Sequence, residues 1–431
     1  MATTSPDPTC TLVGGPHMQV GDEQLDGLVR GAVAELPDLG GQDVVLVVPD
    51  GTRSCPLPLL VGTLHRHLFP VVGSLTAVIA LGTHSYMEPE EIDRLLGVGG
   101  DGQPATLEEA YPGLRVVNHE WADPDMLVEV GTIPANRISE LSEGRLERDA
   151  PIVINRHVVE ADTAIIVGPV FPHEVVGISG GNKYFIPGVA SQEFIDMTHW
   201  VGALITSTEI IGTTGITPVR AMINEGAAMI PTRRLALCCV VRSGSGDLEA
   251  AAFGTPEEAW AATAAIASET HVEWLDEPMH RVIAVMPTRY DDIWTAAKGG
   301  YKTEPAIADG GEVVIYAPHV TEVSEVHHEI YDIGYHCRDY FVKQWERFEH
   351  IHWGVLAHST HLRGQGTYDP QTGEERLRIR VTLATGIPRE VCERINLGYL
   401  DPATVDLEAL ADEPGTTVIP NAGEVLYRVR P

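Results

Sequence analysis

Basic residues are scarce in this 431-residue chain: 29 Lys and Arg stand against 61 Asp and Glu, a formal charge of −32 at pH 7. That balance argues against nucleic acid and anionic membrane surfaces as partners. It leaves room for an anionic small molecule, because a local cluster of Arg, Lys and His reverses the field inside a cleft. No apolar run approaches the roughly 20 residues that a spanning helix requires. The opening MATTSPDPTC is polar, without a basic n-region or an apolar core, so no secretory leader is evident. Cysteines are few and scattered (Cys10, Cys55, Cys238, Cys239, Cys337 and Cys392), with no C-x-x-C pair. A disulfide framework is therefore not expected, and the cytoplasm is the expected location. Two nucleotide signatures are also missing: the G-x-x-x-x-G-K-[ST] loop and a strand-initiated G-x-G-x-x-G. No internal repeat or low-complexity tract interrupts the chain.

Globular composition is present, at 44% hydrophobic residues, and the length exceeds one ordinary core, so two domains are expected. DVVLVVPDGTRSCPLPLLVGTLHRHL reads as a buried strand ending at Asp50, a turn, and a helix begun by prolines. SLTAVIALGTHSYMEPEEIDRLLG repeats the scheme, with a strand through Leu81 and a helix from about Glu88. ADTAIIVGPVFPHEVVGISGGNKYF is a third strand, running into a long glycine loop. Apolar runs alternating with amphipathic segments predict α/β domains with mainly parallel sheets and a cleft between them. The polar turns fall at strand C-termini, where such sheets bind ligands. After HVEWLDEPMHRVIAV the rhythm restarts with a helix over DDIWTAAKGGYKTEPAIADG, a strand EVVIYAP, a long helix over FVKQWERFEHIHWGVLAHSTHL and a strand RLRIRVTLATG. The expected domains are 1–279 and 280–415, with a strand in 416–431 returning to the first.

Four features carry chemistry. Asp50-Gly51-Thr52-Arg53 follows a strand and offers a carboxylate, a hydroxyl and a guanidinium able to clamp an anion. Taken alone, it is equally an Asx-type turn. Gly82-Thr83-His84 puts an imidazole at the next strand end, where a lone His is more often structural. In PHEVVGISGGNKYFIPG, His173 follows a strand, Ser179-Gly180-Gly181 could form an N–H nest for phosphate, and Lys183 sits beyond. A Lys in such a loop binds charge or serves as a covalent attachment point, unless it is simply solvated. His199 lies sixteen residues after Lys183, inside the helical pattern ASQEFIDMTHWVGALI.

Asp50 to Arg53, LGTHS at 81–85 and PHEVVGISGGNKYFIPGVA at 172–190 resemble the three signature segments of the lactate racemase family. The resemblance continues in order through His199, TAAKGGY around Lys298, QWERFEHIHWGVLA and the terminal VIPNAGEVL. It implies an isomerase with a nickel-pincer nucleotide, a pyridinium-3-thioamide-5-thiocarboxylate mononucleotide joined to Lys183 and carrying nickel that His199 also ligates. Soft sulfur and imidazole donors suit Ni(II). The resemblance further implies that His84 and His173 are the paired bases and that Arg53 and Lys298 hold the substrate carboxylate. Asp50 either positions a His or Arg or joins Thr52, Ser179, Gly180 and Gly181 around the cofactor. The first domain becomes the cofactor side and the second the substrate side. Separate enzymes that build the cofactor are the implied partners, and the oligomeric state is open.

Four positions depart from the family pattern on what reads as the substrate side: Ser85 for Arg, Asn182 for Arg, Trp294 for Tyr and Thr295 for Gln. Together with the polar residues His327, His328, Tyr331, His336, His358, His361 and Arg363, they imply a substrate larger or more polar than lactate, such as a sugar acid or a hydroxy diacid. Two other readings stay open. One is a zinc or iron enzyme built on the later histidines, with His358 and His361 on one helical face. The other is a homologue that holds the cofactor without turnover.

Overall fold

The structure, a computed structural model, describes residues 9–36 and 38–430. Most of the polar opening stretch, residues 1–8, lies outside the described residues. Contacts along the chain separate it into two compact units. The first runs to Phe171 and takes in Ile178–Ile195 and Arg220–Thr270. The second holds Pro172–Gly177, Asp196–Val219 and the chain from His271 onwards.

The first unit is built on a seven-stranded sheet. Its spatial order is Thr11–Gly14, Leu248–Gly254, Arg233–Val241, Thr163–Pro169, Asp43–Pro49, Ser74–Ala80 and Leu114–Asn118. Only Leu248–Gly254 runs against the rest. Asp43–Pro49 is buried from its second residue on, and Thr163–Pro169 throughout. Such continuous Val and Ile runs belong to strands covered on both faces. The helix Leu57–Leu68, entered through Pro56 and Pro58, packs Leu57, Leu60, Val61, Leu64 and Leu68 into the core. That spacing is the apolar stripe of a helix on a sheet. From Asp43–Pro49 the chain builds outward through Ser74–Ala80 on one side and continues at Thr163–Pro169 on the other. The topological switch point therefore lies between Asp43–Pro49 and Thr163–Pro169.

The second unit holds a five-stranded, all-parallel sheet in the order Gly398–Tyr399, Arg380–Thr385, Ile307–Ala317, Met279–Val285 and Thr416–Ile419. The α/β class with mainly parallel sheets is thus as the sequence predicts. The terminal segment differs from expectation. Thr416–Ile419 pairs with Met279–Val285, and Leu426–Val429 pairs with Val272–Leu275, so the described part of 416–431 completes the second unit rather than the first. An unpaired edge beside Met279–Val285 offers a full ladder of hydrogen bonds, and the tail takes it. The boundary also moves, because His173 and His199 fall on excursions that group with the second unit.

Two long predicted helices are broken. The 291–310 region forms the short helices Ile293–Ala296 and Lys298–Tyr301, a 3-10 turn Glu304–Ala306 around Pro305, and the start of the strand Ile307–Ala317. The 341–362 region resolves into Arg338–Val342, Trp345–Phe348 and Trp353–Arg363. There Trp345 stacks on Trp200 at 5.3 Å and meets Trp353 edge-on at 5.5 Å. Burying those rings outweighs helix continuity.

Candidate active site

The first unit's polar cluster sits at its switch point, where open α/β sheets bind ligands. Asp50 ends the strand Asp43–Pro49 and is buried. Its Oδ1 accepts from the Thr52 hydroxyl at 2.6 Å and the Thr52 N–H at 3.1 Å. Its Oδ2 lies 2.6 Å from His84 Nδ1. Burial pushes the Asp50 carboxyl up, but the His84 imidazole and Thr52 outweigh it and hold the group well below the usual carboxylate range. Of the roles open to Asp50, positioning a His is the one this geometry fills, and Thr52 positions Asp50 in turn. The His84 turn is fixed from two further directions. Trp121 Nε1 donates to the His84 carbonyl at 3.0 Å, and the Gly82 N–H donates to the Gly188 carbonyl at 2.9 Å.

Gly188 joins that turn to the lysine loop, since its own N–H donates to the Lys183 carbonyl at 3.3 Å. A Cβ there would stand 2.2 Å from the Tyr184 carbonyl oxygen, so the close approach needs glycine. Lys183 is half-buried in the 3-10 turn Gly181–Tyr184. Arg53 is near enough to oppose the upward pull of burial on the Tyr184 phenol.

The loop's other groups are engaged by the protein. Ser179 Oγ accepts from the Phe171 N–H at 3.0 Å, and the Ser179 N–H donates to the Phe171 carbonyl at 2.7 Å. Burial pushes the Cys238 thiol up to about 12, against the downward pull of the nearby Gly181 backbone. A Cβ on Gly181 would meet Trp260 at 2.7 Å. Gly181 thus makes room for Trp260, and the Ser179 N–H and hydroxyl are taken up by Phe171. Asn182 packs beside them. It is buried, and its amide donates to Glu257 at 2.6 Å and Asn224 at 3.1 Å.

Sequence reasoning missed Arg220, whose buried guanidinium organises this loop. It donates to the Gly180 carbonyl at 2.9 Å and to the Ile178 carbonyl, and lies 4.3 Å above the Trp260 ring. Trp260 Nε1 donates to the Ser179 carbonyl at 3.0 Å. No spacing in the sequence ties residue 220 to residue 180, so only the fold reveals the clamp.

In the second unit, buried His173 ends the short strand Pro172–His173. Its Nδ1 accepts from the Val175 N–H at 3.1 Å, and Glu174 Oε2 stands 3.4 Å from the same nitrogen. His199 is half-buried on the helix Gln192–Ile205. Lys298 opens the helix Lys298–Tyr301 with its ammonium 4.8 Å above the Tyr290 ring. Trp294 stacks on His358 at 3.9 Å and packs on His327 at 4.1 Å. The Thr295 hydroxyl donates to Asp292 Oδ1 at 2.9 Å, closing the N-cap of its own helix. Ser85, in the first unit, is exposed.

A family model described as the lactate racemase N-terminal domain matches residues 32–211, the span that holds Asp50, His84, His173, Lys183 and His199. The chain is 25% identical over 182 residues to the lactate racemase of Lactiplantibacillus plantarum, covering 42% of this chain and 35% of that protein. It is 28% identical over 164 residues to the lactate racemase of Thermoanaerobacterium thermosaccharolyticum, covering 37% of this chain and 33% of that one. The match thus spans about a third of the length of these curated relatives. Over 97% of this chain and 100% of theirs, two solved structures are similar. One is a Thermotoga maritima protein at 33% identity and a TM-score of 0.87, and the other is the T. thermosaccharolyticum lactate racemase apoprotein at 20% and 0.68. The second of these bears on the fold alone.

Residues 32–211 belong to the lactate racemase N-terminal domain family.

The residues present fit the family's kind of cofactor. Lys183 gives a primary amine on a turn held by Arg220 and Trp260, and His199 gives a half-buried imidazole. Among the described residues, no group of three or more His, Cys, Asp and Glu side chains could hold a metal ion. His358 Nε2 is already bonded to the Trp294 carbonyl at 3.0 Å. A metal held mostly by an organic group asks the chain for one imidazole only.

Proposed function

We propose that this protein is a racemase or epimerase inverting the C2 carbinol of a 2-hydroxy acid by reversible hydride transfer to a nickel-pincer nucleotide attached at Lys183, with His199 as a nickel ligand. When bound, that group supplies a hydride acceptor, which lets C2 become planar and regain hydride on either face without removal of its weakly acidic proton. The observation that carries the reading is the Asp50–His84 pair. Asp50 Oδ2 at 2.6 Å from Nδ1 keeps the ring proton on Nδ1 and leaves Nε2 as the lone-pair nitrogen, ready to take the substrate's hydroxyl proton.

His173 rests in the opposite tautomer. Its Nδ1 accepts from the Val175 N–H, so the neutral ring carries its proton on Nε2. In one direction neutral His84 takes the hydroxyl proton while His173, entering as the imidazolium, returns a proton to the product oxygen; in the other direction the roles reverse, and proton exchange with solvent resets the pair. Glu174, 3.4 Å from His173 Nδ1, becomes an ion-pair partner once that ring is protonated. Arg53 and Lys298 neutralise and orient the substrate carboxylate. Ser85 and Trp294, where lactate-specific members carry Arg and Tyr, favour a substrate larger or more polar than lactate, a sugar acid or a hydroxy diacid. Maturation draws on separate cofactor-making enzymes.

The test is intact-mass spectrometry and nickel analysis of protein made alongside those enzymes, with a panel of 2-hydroxy acids followed by optical rotation. The expected result is an adduct at Lys183, bound nickel and inversion of at least one acid. Inversion by protein with an unmodified Lys183 amine overturns the reading, and so does an adduct without turnover of any acid.

A further inference from the structure

The helix Trp353–Arg363 carries His358 and His361 three residues apart, hence on one face. Only 8% of His358 and 3% of His361 is exposed. The His358 ring lies nearly parallel to Trp294, at 7°, and the fully buried Tyr335 meets it edge-on at 5.7 Å. Four polar atoms in this cluster have no hydrogen-bond partner: His358 Nδ1, both ring nitrogens of His361 and the Tyr335 hydroxyl. A buried polar atom left unpaired costs about 1–3 kcal/mol, and native interiors rarely tolerate several together. The cluster is therefore built for a polar occupant.

The chemistry of that occupant follows from charge. Burial pulls His358 down to about 3, against the Trp294 carbonyl, and His361 down to about 4, against Glu174, so both rings are neutral at pH 7. A neutral imidazole offers one donor and one acceptor, and a phenol can do both. This set matches hydroxyl groups, which also donate and accept. It does not match a second carboxylate, which only accepts and would feel the Glu174 charge that acts on both rings. The cluster also touches residues already given roles, since His358 stacks on Trp294 and Glu174 follows His173.

Resting on the isomerase reading above, we propose that His358, His361 and Tyr335 bind the hydroxyl groups of carbons beyond the reacting carbinol, so that the substrate is a polyhydroxy monocarboxylic acid rather than a hydroxy diacid. The probes are D-gluconate, malate and lactate, titrated calorimetrically into the full chain. The wild type is expected to bind gluconate at least about tenfold more tightly than lactate, equivalent to about 1.4 kcal/mol. Tyr335→Phe, which keeps the ring, and His361→Leu should each cut that ratio by about threefold to tenfold, and His361→Gln should retain most of it. Should His361→Leu fail to fold, Tyr335→Phe decides. A wild type that binds the three acids equally or prefers malate overturns the proposal, as does a gluconate preference that neither variant moves. The two readings fail separately: a chain that discriminates but inverts no acid sinks only the isomerase, and an active isomerase without the discrimination sinks only this site.

Discussion

A carboxylate that is buried yet ionised needs its partners in place, and Asp50 has them on both oxygens. Its charge serves the imidazole beside it. Asp50→Asn would keep the shape but present an amide that bonds either ring tautomer, so the lone pair is no longer held at His84 Nε2. The expected outcome is a fall in kcat of about 10²–10⁴-fold with KM little changed. Nitrogen NMR of the His84 ring should change from a single tautomer to a mixture. A kcat within a factor of three of wild type, or an unmixed tautomer in the variant, would remove Asp50 from the mechanism.

Among the elements, the loop that leaves the two-residue strand Gly177–Ile178 and runs to Tyr184 stands out, because its backbone is held largely by side chains. Its carbonyls at Ile178, Ser179 and Gly180 are met by Arg220 and Trp260. Arg220→Leu removes two donors and leaves both carbonyls buried, at about 1–3 kcal/mol each. Hydrogen exchange should then show the amides of 179–185 losing about 2–4 kcal/mol of protection, while those of the strand Thr163–Pro169 keep theirs. Unchanged protection in the loop would mean that Trp260 alone suffices. The same clamp explains why glycine is required: Gly181 has room for its neighbour Trp260 only without a Cβ.

For the molecule as a whole, charge is the dominant feature. A formal −32 spread over the chain sets Asp and Glu against one another at low ionic strength. Raising NaCl from about 0.01 to about 0.15 M shortens the screening length from roughly 30 to roughly 8 Å. The thermal midpoint is expected to rise by a few degrees, as read by calorimetry at constant pH. A midpoint that falls with added salt would show that ion pairs such as Arg137 with Glu225 and Glu140 outweigh the repulsion. No helix among the described residues is long and apolar enough to cross a membrane.

Local order was written in the sequence: the Val-rich strand before Asp50, the proline-led helix after it, the His-bearing turn at 82–84 and the glycine loop around Lys183 follow from hydrophobic period and turn chemistry. Those signals act over a few residues, so a single chain suffices to show them. Longer-range choices were hidden. The tail at 416–429 joins the second sheet because an open strand edge accepts it, and the 338–363 region breaks because tryptophan rings gain more by packing than a helix gains by continuing. Arg220 reaches Gly180 across forty residues of chain, and His361 lies buried beside His358 with its nitrogens unpaired. Hydrogen-bond partners and burial are properties of the folded arrangement, and no spacing rule records them.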